Sequence, residues 1–200
     1  MENLTFRIAK PSDAAQLLNI YTPYVTNTAI TFETTPPSCA QFKKRIETTL
    51  QRYPYIVAIK DEKIIGYAYT SSFKDRSAYD WSVETSIYLD SSAQGLGIGT
   101  RLYQLLEKIS AAQNVISLNA CIAYPKTPTN PYLNLTSPKF HEHLGFSKCA
   151  HFHDCAYKFD QWFDMIWMEK HLLIPPKPNS FIEFAQIKDQ LVRQGVITFD

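Results

Sequence analysis

Gln94-Gly95-Leu96-Gly97-Ile98-Gly99-Thr100 is the stretch that decides the fold, because of the two segments that flank it. Upstream, residues 83–89 alternate apolar and polar side chains, a pattern that predicts a strand. Downstream, apolar residues recur at helical spacing from Leu102 to Ile109, so a helix begins within or just after the glycines. A strand that passes through a glycine-rich turn into a helix is typical of a phosphate site, since backbone N–H groups and the helix N-terminus attract an anion.

Three phosphate-binding motifs share this arrangement, and residue spacing separates them. A P-loop requires Lys followed by Ser or Thr after its last glycine, whereas Gly99 is followed by Thr100 and Arg101. A dinucleotide-binding Rossmann motif fails because position 100 is not glycine and no carboxylate follows the next predicted strand. The third motif is Gln/Arg-x-x-Gly-x-Gly/Ala, which Gln94, Gly97 and Gly99 match residue for residue.

The third motif is that of the GCN5-related N-acetyltransferases, in which the amides of the turn hold the pyrophosphate of coenzyme A. Further segments resemble the phosphinothricin N-acetyltransferases, in the same order, from about Phe6 to Pro178. These segments are 78–88 before the glycines, Phe73-Lys74-x-Arg76, His141-Glu142-x-Leu144-Gly145-Phe146, Tyr157-Lys158, Trp162 with Asp164, and Pro175-Pro176-x-Pro178. On these matches the chain is identified as a member of that acetyltransferase subfamily.

The resemblance implies an α/β fold with a mixed, mostly antiparallel central sheet flanked by helices. Acetyl-CoA is expected in a cleft between the fourth and fifth strands, with its pyrophosphate on Gln94–Thr100. Backbone N–H groups of the preceding strand are expected to contact the oxyanion and the pantetheine arm. The predicted cofactor-binding residues are Ser86, Ile87, Tyr88, Gln94, Gly95, Leu96, Gly97, Ile98, Gly99, Thr100, Asn134 and Ser137.

Acetyl transfer to an amine requires a base for the ammonium proton and donors for the developing oxyanion. Glu84 lies on the strand before the glycines, and its side chain is on the face of the strand opposite to that of Val83 and Thr85. Burial on that face would raise the pKa of Glu84 and make it a stronger base. The resemblance places the family's proposed base at Glu84 and a second catalytic candidate at His141, which would relay the amine proton or protonate the leaving thiolate. The alternatives are a solvated strand glutamate and a structural histidine.

Two cations, Lys74 and Arg76, come just before the strand that carries Glu84. They are candidates to hold a carboxylate or phosphinate of the substrate, Arg76 through a bidentate contact, with Tyr79 and Trp81 as apolar walls. The alternative is that both are solvated loop charges.

Cys149, His151, His153 and Cys155 alternate along one predicted strand, which raises the question of a zinc site. At about 3.3 Å per residue the first and last lie roughly 20 Å apart, too far to share one tetrahedral ion. A pair two residues apart would supply two ligands, but no other Cys/His cluster supplies the rest. The sequence therefore predicts no metal site, and the cysteines are predicted to be reduced thiols.

Size and charge limit the class of protein. Two hundred residues with 45% hydrophobic side chains suit one globular domain with a core. A formal net charge of +1 argues against a nucleic-acid surface, and no apolar run approaches the ~20 residues of a membrane span. Met1-Glu2-Asn3-Leu4-Thr5 lacks the features of a signal peptide, so a cytoplasmic location is expected. The family resemblance implies a homodimer.

The remaining pattern predicts helices and strands around the glycine turn. Ser38 is expected to cap a helix, and three prolines exclude regular structure from 122–137, a loop about eight residues longer than in the phosphinothricin pattern. Residues 1–178 are predicted to form the acetyltransferase domain and 179–200 a C-terminal extension. The predicted strands are 5–9, 55–59, 63–70, 83–89, 115–121, 147–157 and 162–168, and the other predicted helices begin near residues 12, 138 and 181.

Two positions depart from the phosphinothricin pattern: where many relatives have His, this chain has Phe159 and Phe163. These changes and the long loop leave the acceptor amine open. The leading expectation is N-acetylation of a small amino acid or analogue, of the phosphinothricin or methionine sulfoximine type. A peptide N-terminus or a polyamine is the alternative acceptor, and an acyl-CoA-binding or interaction module without turnover is the alternative class.

Overall fold

Residues 4–199 are described by a computed structural model. The chain divides into two compact units, the first built from Met1–Ile20, Pro37–Leu118 and His171–Asp200, the second from Tyr21–Pro36 and Asn119–Lys170. In chain order the helices and strands are β1 (Leu4–Ile8), α1 (Ala14–Asn27), α2 (Cys39–Arg52), β2 (Tyr55–Lys60), β3 (Lys63–Ser72), β4 (Ser82–Leu89), α3 (Ile98–Ala112), β5 (Ser117–Tyr124), α4 (Thr136–His143), β6 (Ser147–Lys158), β7 (Gln161–His171) and α5 (Phe184–Arg193).

In the first unit, β1, β2, β3 and β4 follow one another in an antiparallel sheet. The predicted strands 55–59 and 63–70 correspond to β2 and β3, which pair as an antiparallel hairpin. The predicted cap of α2 is confirmed, because the N–H of Gln41 donates to Oγ of Ser38 at 3.2 Å. The helix after the glycines begins at Ile98, as the sequence predicts.

The core of the first unit combines the sheet, α3 and the end of the chain. Its buried members are Ile8, Ile56, Ala58, Ile65, Ala68, Ala93, Ile98, Leu102, Leu106, Ile109, Phe184, Leu191 and Ile197. The helix predicted over 181–193 begins three residues later, at Phe184, and its apolar face belongs to this core. Such burial of one apolar helix face is what stabilises a helix of this length in water.

In the second unit, β7 lies between β5 and β6 and pairs with β6 in an antiparallel ladder. Its small core contains Ala29, Ala123, Leu133 and Phe163. The prediction of an irregular segment over 122–137 is wrong at both ends, because β5 continues to Tyr124 and α4 begins at Thr136. At the first end, Pro125 stops the strand only at its own position, because the residue before a proline still favours an extended conformation. At the second end, Pro138 lies in the first turn of α4, where proline is tolerated.

The antiparallel ladders and the alternation of strands with helices confirm the predicted α/β fold with mostly antiparallel strands. The cysteines are all exposed free thiols. Within residues 4–199, no helix has the length and apolar character that crossing a bilayer requires.

Candidate active site

The glycine turn joins β4 to α3. A short 3-10 turn at Ser91–Ala93 comes first, fixed by Asp90, whose Oδ1 accepts from the N–H and hydroxyl of Ser92 at 3.0 and 2.6 Å. Gly95 and Gly97 then both adopt φ of +74°, a left-handed conformation that favours glycine. A Cβ built on either residue would meet no protein atom within 4 Å other than those of the glycine and its chain neighbours. The backbone of the turn is thus accessible to a ligand.

The N-terminus of α3 adds a partial positive charge at the turn, which attracts an anion. Gly97 is its N-cap, and the helix runs for 15 residues, so its first N–H groups lack an intrahelical carbonyl partner. Those N–H groups and the helix dipole together favour a phosphate group. The residues present therefore fit the pyrophosphate of a coenzyme A donor.

A buried hydrogen bond fixes α3 to the strand before the turn. The hydroxyl of Tyr103, on α3, donates to Oγ1 of Thr85, on β4, at 3.1 Å. Burial raises the pKa of Tyr103, so the phenol stays a donor. The sequence pattern missed this contact, since a tyrosine in a helical apolar series is typical of the core.

Glu84 lies one residue before Thr85 on β4, opposite Ser71 of β3. Its side chain is half-buried, and loss of hydration raises its pKa, while the positive charge of Lys74 acts in the opposite sense. Desolvation is the larger effect, so the carboxylate is more basic than an ordinary glutamate. A higher pKa makes a carboxylate a stronger general base.

The segment between β3 and β4 exposes the two predicted substrate cations. At the start of the segment, the hydroxyl of Ser72 donates a hydrogen bond to the carbonyl of Lys74 at 2.7 Å. The ammonium group of Lys74 lies 5.0 Å from the centre of the Phe73 ring. Tyr79 packs edge-on against Phe73, with 5.9 Å between ring centres. The Arg76 side chain is exposed, just before a 3-10 turn.

The end of the same segment is anchored by polar contacts. Asp80 forms an ion pair with Arg52 at 2.7 Å. The indole N–H of Trp81 donates to the carbonyl of Asn179 at 2.6 Å, and the carbonyl of Trp81 accepts from the N–H of Ile116 at 2.8 Å. Trp81, predicted as a wall of the substrate site, thus has a definite role in holding the chain. The exposed part of the segment is fixed at both ends.

In the second unit, three of the predicted site residues lie together at α4. The side chain of Asn134 accepts from the N–H of Thr136 at 2.9 Å, which fixes the start of the helix. Ser137 is in the first turn, and its carbonyl accepts a hydrogen bond from Nδ1 of His141 at 2.8 Å. His141 follows one turn later and is only 3% exposed.

The hydrogen bond to Ser137 determines which nitrogen of His141 can accept a proton. A carbonyl only accepts, so Nδ1 of His141 carries the hydrogen, and Nε2 is the acceptor in the neutral ring. Burial lowers the pKa of His141 to about 4. The ring is therefore neutral at pH 7, so Nε2 carries no proton for a leaving thiolate, and the lowered pKa makes His141 a weaker base than an ordinary histidine.

The two departures from the phosphinothricin pattern pack against the long loop. Phe159 stacks on Tyr132 with ring centres 4.2 Å apart and planes within 14°. Phe163 is fully buried in the cluster that contains Leu133, and its ring centre lies 6.3 Å from that of Phe32. Both phenylalanines thus belong to apolar contacts around the loop between β5 and α4.

The glycine turn and the N-terminus of α3 together form a backbone site suited to a phosphate group, and the carboxylate of Glu84 lies on the strand that precedes this site. Residues 6–167 match the model of the acetyltransferase (GNAT) domain. The chain belongs to this family.

Relatives of known activity agree with this assignment. The chain is 30% identical to a phosphinothricin N-acetyltransferase of Streptomyces viridochromogenes, over 90% of this chain and 94% of that protein. It is 28% identical to an L-methionine sulfoximine/L-methionine sulfone acetyltransferase of Pseudomonas aeruginosa, over 84% and 94%. Among solved structures, the phosphinothricin acetyltransferase of Sinorhizobium meliloti in complex with acetyl-CoA has a TM-score of 0.79 and 34% identity, covering 88% of this chain and 94% of that one.

The protein is therefore an acetyl-CoA-dependent N-acetyltransferase of the GNAT fold, and the predictions of family, fold and cosubstrate are confirmed. The donor supplies an acetyl thioester.

Proposed function

We propose that the protein acetylates the amino group of a small amino acid or analogue, of the phosphinothricin or methionine sulfoximine type, with Glu84 as the general base. The observation that carries the proposal is the half-buried carboxylate of Glu84, with its raised pKa, on the strand that leads directly into the glycine turn. The named activities of the relatives support the choice of amine.

In the proposed mechanism, Glu84 removes the proton that keeps the substrate amine from attacking the thioester. A raised pKa matters because an ordinary glutamate is too weak a base to take a proton from an ammonium ion efficiently. For His141 we propose a proton relay that begins with acceptance at Nε2, because Nδ1 donates to the carbonyl of Ser137. Its lowered pKa makes His141 a weak base, so Glu84 remains the principal acceptor of the amine proton. Turn residues Gln94–Thr100 would hold the pyrophosphate and so fix the thioester in place.

The proposed substrate class is tested by a screen of amines that measures release of free coenzyme A. Phosphinothricin and methionine sulfoximine should be turned over much faster than spermidine or an alanyl peptide. Preferential turnover of the polyamine or the peptide would contradict the assignment of the amine and leave the family unaffected.

Gly97→Ala is expected to weaken coenzyme A binding by about tenfold or more. Alanine is strained at φ of +74°, by roughly 1–2 kcal/mol, and its methyl group would occupy the accessible side of the turn. Isothermal titration with coenzyme A measures the effect. Gly195→Ala is the matched control, because Gly195 has φ of +69° and also no protein atom within 4 Å of a built Cβ. Equal affinity in both variants would contradict binding at the turn.

Arg76→Ala is expected to raise KM for an anionic amino-acid substrate by roughly ten- to a hundred-fold, with little change for acetyl-CoA. The loss of a charge-assisted bidentate contact costs about 1.5–3 kcal/mol. Steady-state kinetics with phosphinothricin and with a neutral amine of similar size separate this effect from general damage. Arg193→Ala, at another exposed arginine, is the control. If KM changes equally for both amines, Arg76 does not bind the anionic group.

A further inference from the structure

The antiparallel pair of β6 and β7 brings together three metal-ligating side chains that the sequence keeps apart. Nε2 of His151 lies 2.9 Å from Oδ2 of Asp164, and Nδ1 of His153 lies 3.0 Å from the same oxygen. One ligand atom from each of the three residues lies within 4.8 Å of the others. The cluster is open on one side, since His153 is 71% exposed and Asp164 only 8%.

An irregularity in β6 makes this approach possible. In a regular strand, positions two residues apart are about 6.6 Å apart along the strand axis, and their side chains project in parallel. The rings of His151 and His153 are closer than this spacing, with centres 4.2 Å apart. The register of β6 against β7 shifts between Phe152 and Ala156, and Asp154 has φ of +49° within the shift. Such a bulge turns a side chain out of its regular direction, which here directs His153 to the carboxylate that His151 also contacts.

The backbone at the bulge also fixes the carboxylate. The N–H of Asp154 donates to Oδ1 of Asp164 at 3.0 Å, so the other oxygen, Oδ2, faces the two imidazoles. Backbone hydrogen bonds of this kind orient the ligating carboxylates of metal sites. The side chain of Asp154 pairs with Lys126, so this ammonium group is matched by a carboxylate other than Asp164.

From this geometry we propose that His151, His153 and Asp164 bind a divalent transition-metal ion, with Zn²⁺ as the ion that fits best. Two imidazoles and a carboxylate are ligands that zinc takes in tetrahedral sites, with water at the fourth position. Ligand atoms in such a site lie about 3.4 Å apart, as expected for bonds of about 2.0–2.1 Å. The three atoms therefore need only small side-chain movements.

The proposal is compatible with the hydrogen bonds now present in the cluster. A neutral imidazole carries one N–H, and the hydrogen can reside on either ring nitrogen. In the metal-bound form each ring would carry it on the nitrogen that faces away from the ion, and the metal would replace the two hydrogen bonds to Asp164. No step of acetyl transfer is assigned to the ion.

The prediction of no metal site rested on the distance along one strand and on the lack of further Cys or His ligands, and neither reason applies to this set. The two histidines are a close pair, and the third ligand is a carboxylate from the neighbouring strand. Neither Cys149 nor Cys155 is needed, because their thiols contact the carbonyls of Trp167 and Phe163.

The test is calorimetric titration of the full, tag-free chain with ZnCl₂ under reducing conditions. The wild-type protein should bind one equivalent, and saturation at 100-fold excess over Kd should raise Tm by roughly 5–10 °C. His153→Ala and Asp164→Asn should each weaken binding by at least tenfold. His171→Ala is the control, because His171 is an exposed histidine at the end of β7 that takes no part in the cluster. Circular dichroism checks that each variant is folded.

Three results would overturn the proposal. The first is no saturable binding of Zn²⁺ to the wild-type protein. The second is unchanged affinity in a folded His153→Ala variant. The third is loss of binding in Cys149→Ser or Cys155→Ser but not in the histidine variant, which would indicate a thiolate site instead.

Discussion

Glu84→Gln is expected to lower kcat by about 100-fold or more at neutral pH, with coenzyme A affinity nearly unchanged. Glutamine keeps the size and most hydrogen bonds of glutamate but cannot accept the amine proton, and general base catalysis contributes roughly 10²–10⁴-fold. A 100-fold loss corresponds to about 2.7 kcal/mol in the activation barrier. Steady-state kinetics give the rate, and calorimetry with coenzyme A gives the affinity.

The pH profile distinguishes loss of a base from structural damage. In the wild-type enzyme, the rate should fall as pH drops through the raised pKa of Glu84, because the protonated carboxyl no longer accepts. That limb should be absent in Glu84→Gln, whose residual rate should follow the free amine as pH rises. Glu62→Gln, at an exposed turn, is the control. Loss of coenzyme A affinity equal to the loss in rate would make Glu84 structural.

The elements around the glycine turn could be predicted because their signals are local. Alternation up to Leu89, left-handed glycines and helical spacing after Ile98 each act within a few residues, and the structure follows them closely. The same holds for Ser38, whose capping bond reaches only to Gln41. Local physical rules fix where such elements begin and end, whatever the rest of the chain does.

Contacts between distant segments could not be predicted in this way. The bond from Tyr103 to Thr85 joins residues 18 apart, and the approach of His153 to Asp164 depends on a bulge that no residue pattern announces. A single sequence carries no record of which distant residues meet. The resemblance supplied Glu84 and His141 as candidates, but the tautomer of His141 follows only from the carbonyl of Ser137.

The contacts of Phe159 and Phe163 could not be predicted from the sequence either, because they involve distant segments. Taken alone, Phe159 and Phe163 are only two differences from a family pattern. In the structure they contact Tyr132 and the cluster around Leu133, so both substitutions and the long loop form one apolar assembly. Histidine in either place would leave a polar ring against apolar neighbours, which is costly without a hydrogen-bond partner.

Residues 179–198 are joined to the first unit by hydrogen bonds and apolar packing. The side-chain amide of Gln113 donates to the carbonyl of Ile182 at 2.9 Å, and the N–H of Ile182 donates to the backbone carbonyl of Gln113 at 3.0 Å. The guanidinium of Arg52 lies 4.8 Å from the centre of the Phe181 ring. At the end of the segment, the carbonyl of Thr198 accepts from the N–H of Ile8 at 2.9 Å, beside β1. Trp81, which precedes Glu84 by three residues, bonds to the same segment.

Phe184→Ala is therefore expected to lower the free energy of unfolding by about 3–5 kcal/mol, the cost of truncating a fully buried phenylalanine. For a chain of this size, that corresponds to a fall in Tm of roughly 6–20 °C. Thermal and urea unfolding monitored by circular dichroism measure the effect, and Gln186→Ala, on the exposed side of α5, should change stability by less than about 0.5 kcal/mol. The KM for acetyl-CoA, measured at a temperature where Phe184→Ala is folded, should stay near the wild-type value. A fall in Tm no larger than that of Gln186→Ala would mean that the segment from 179 onward is an appendage, and that the core of the first unit is complete without it.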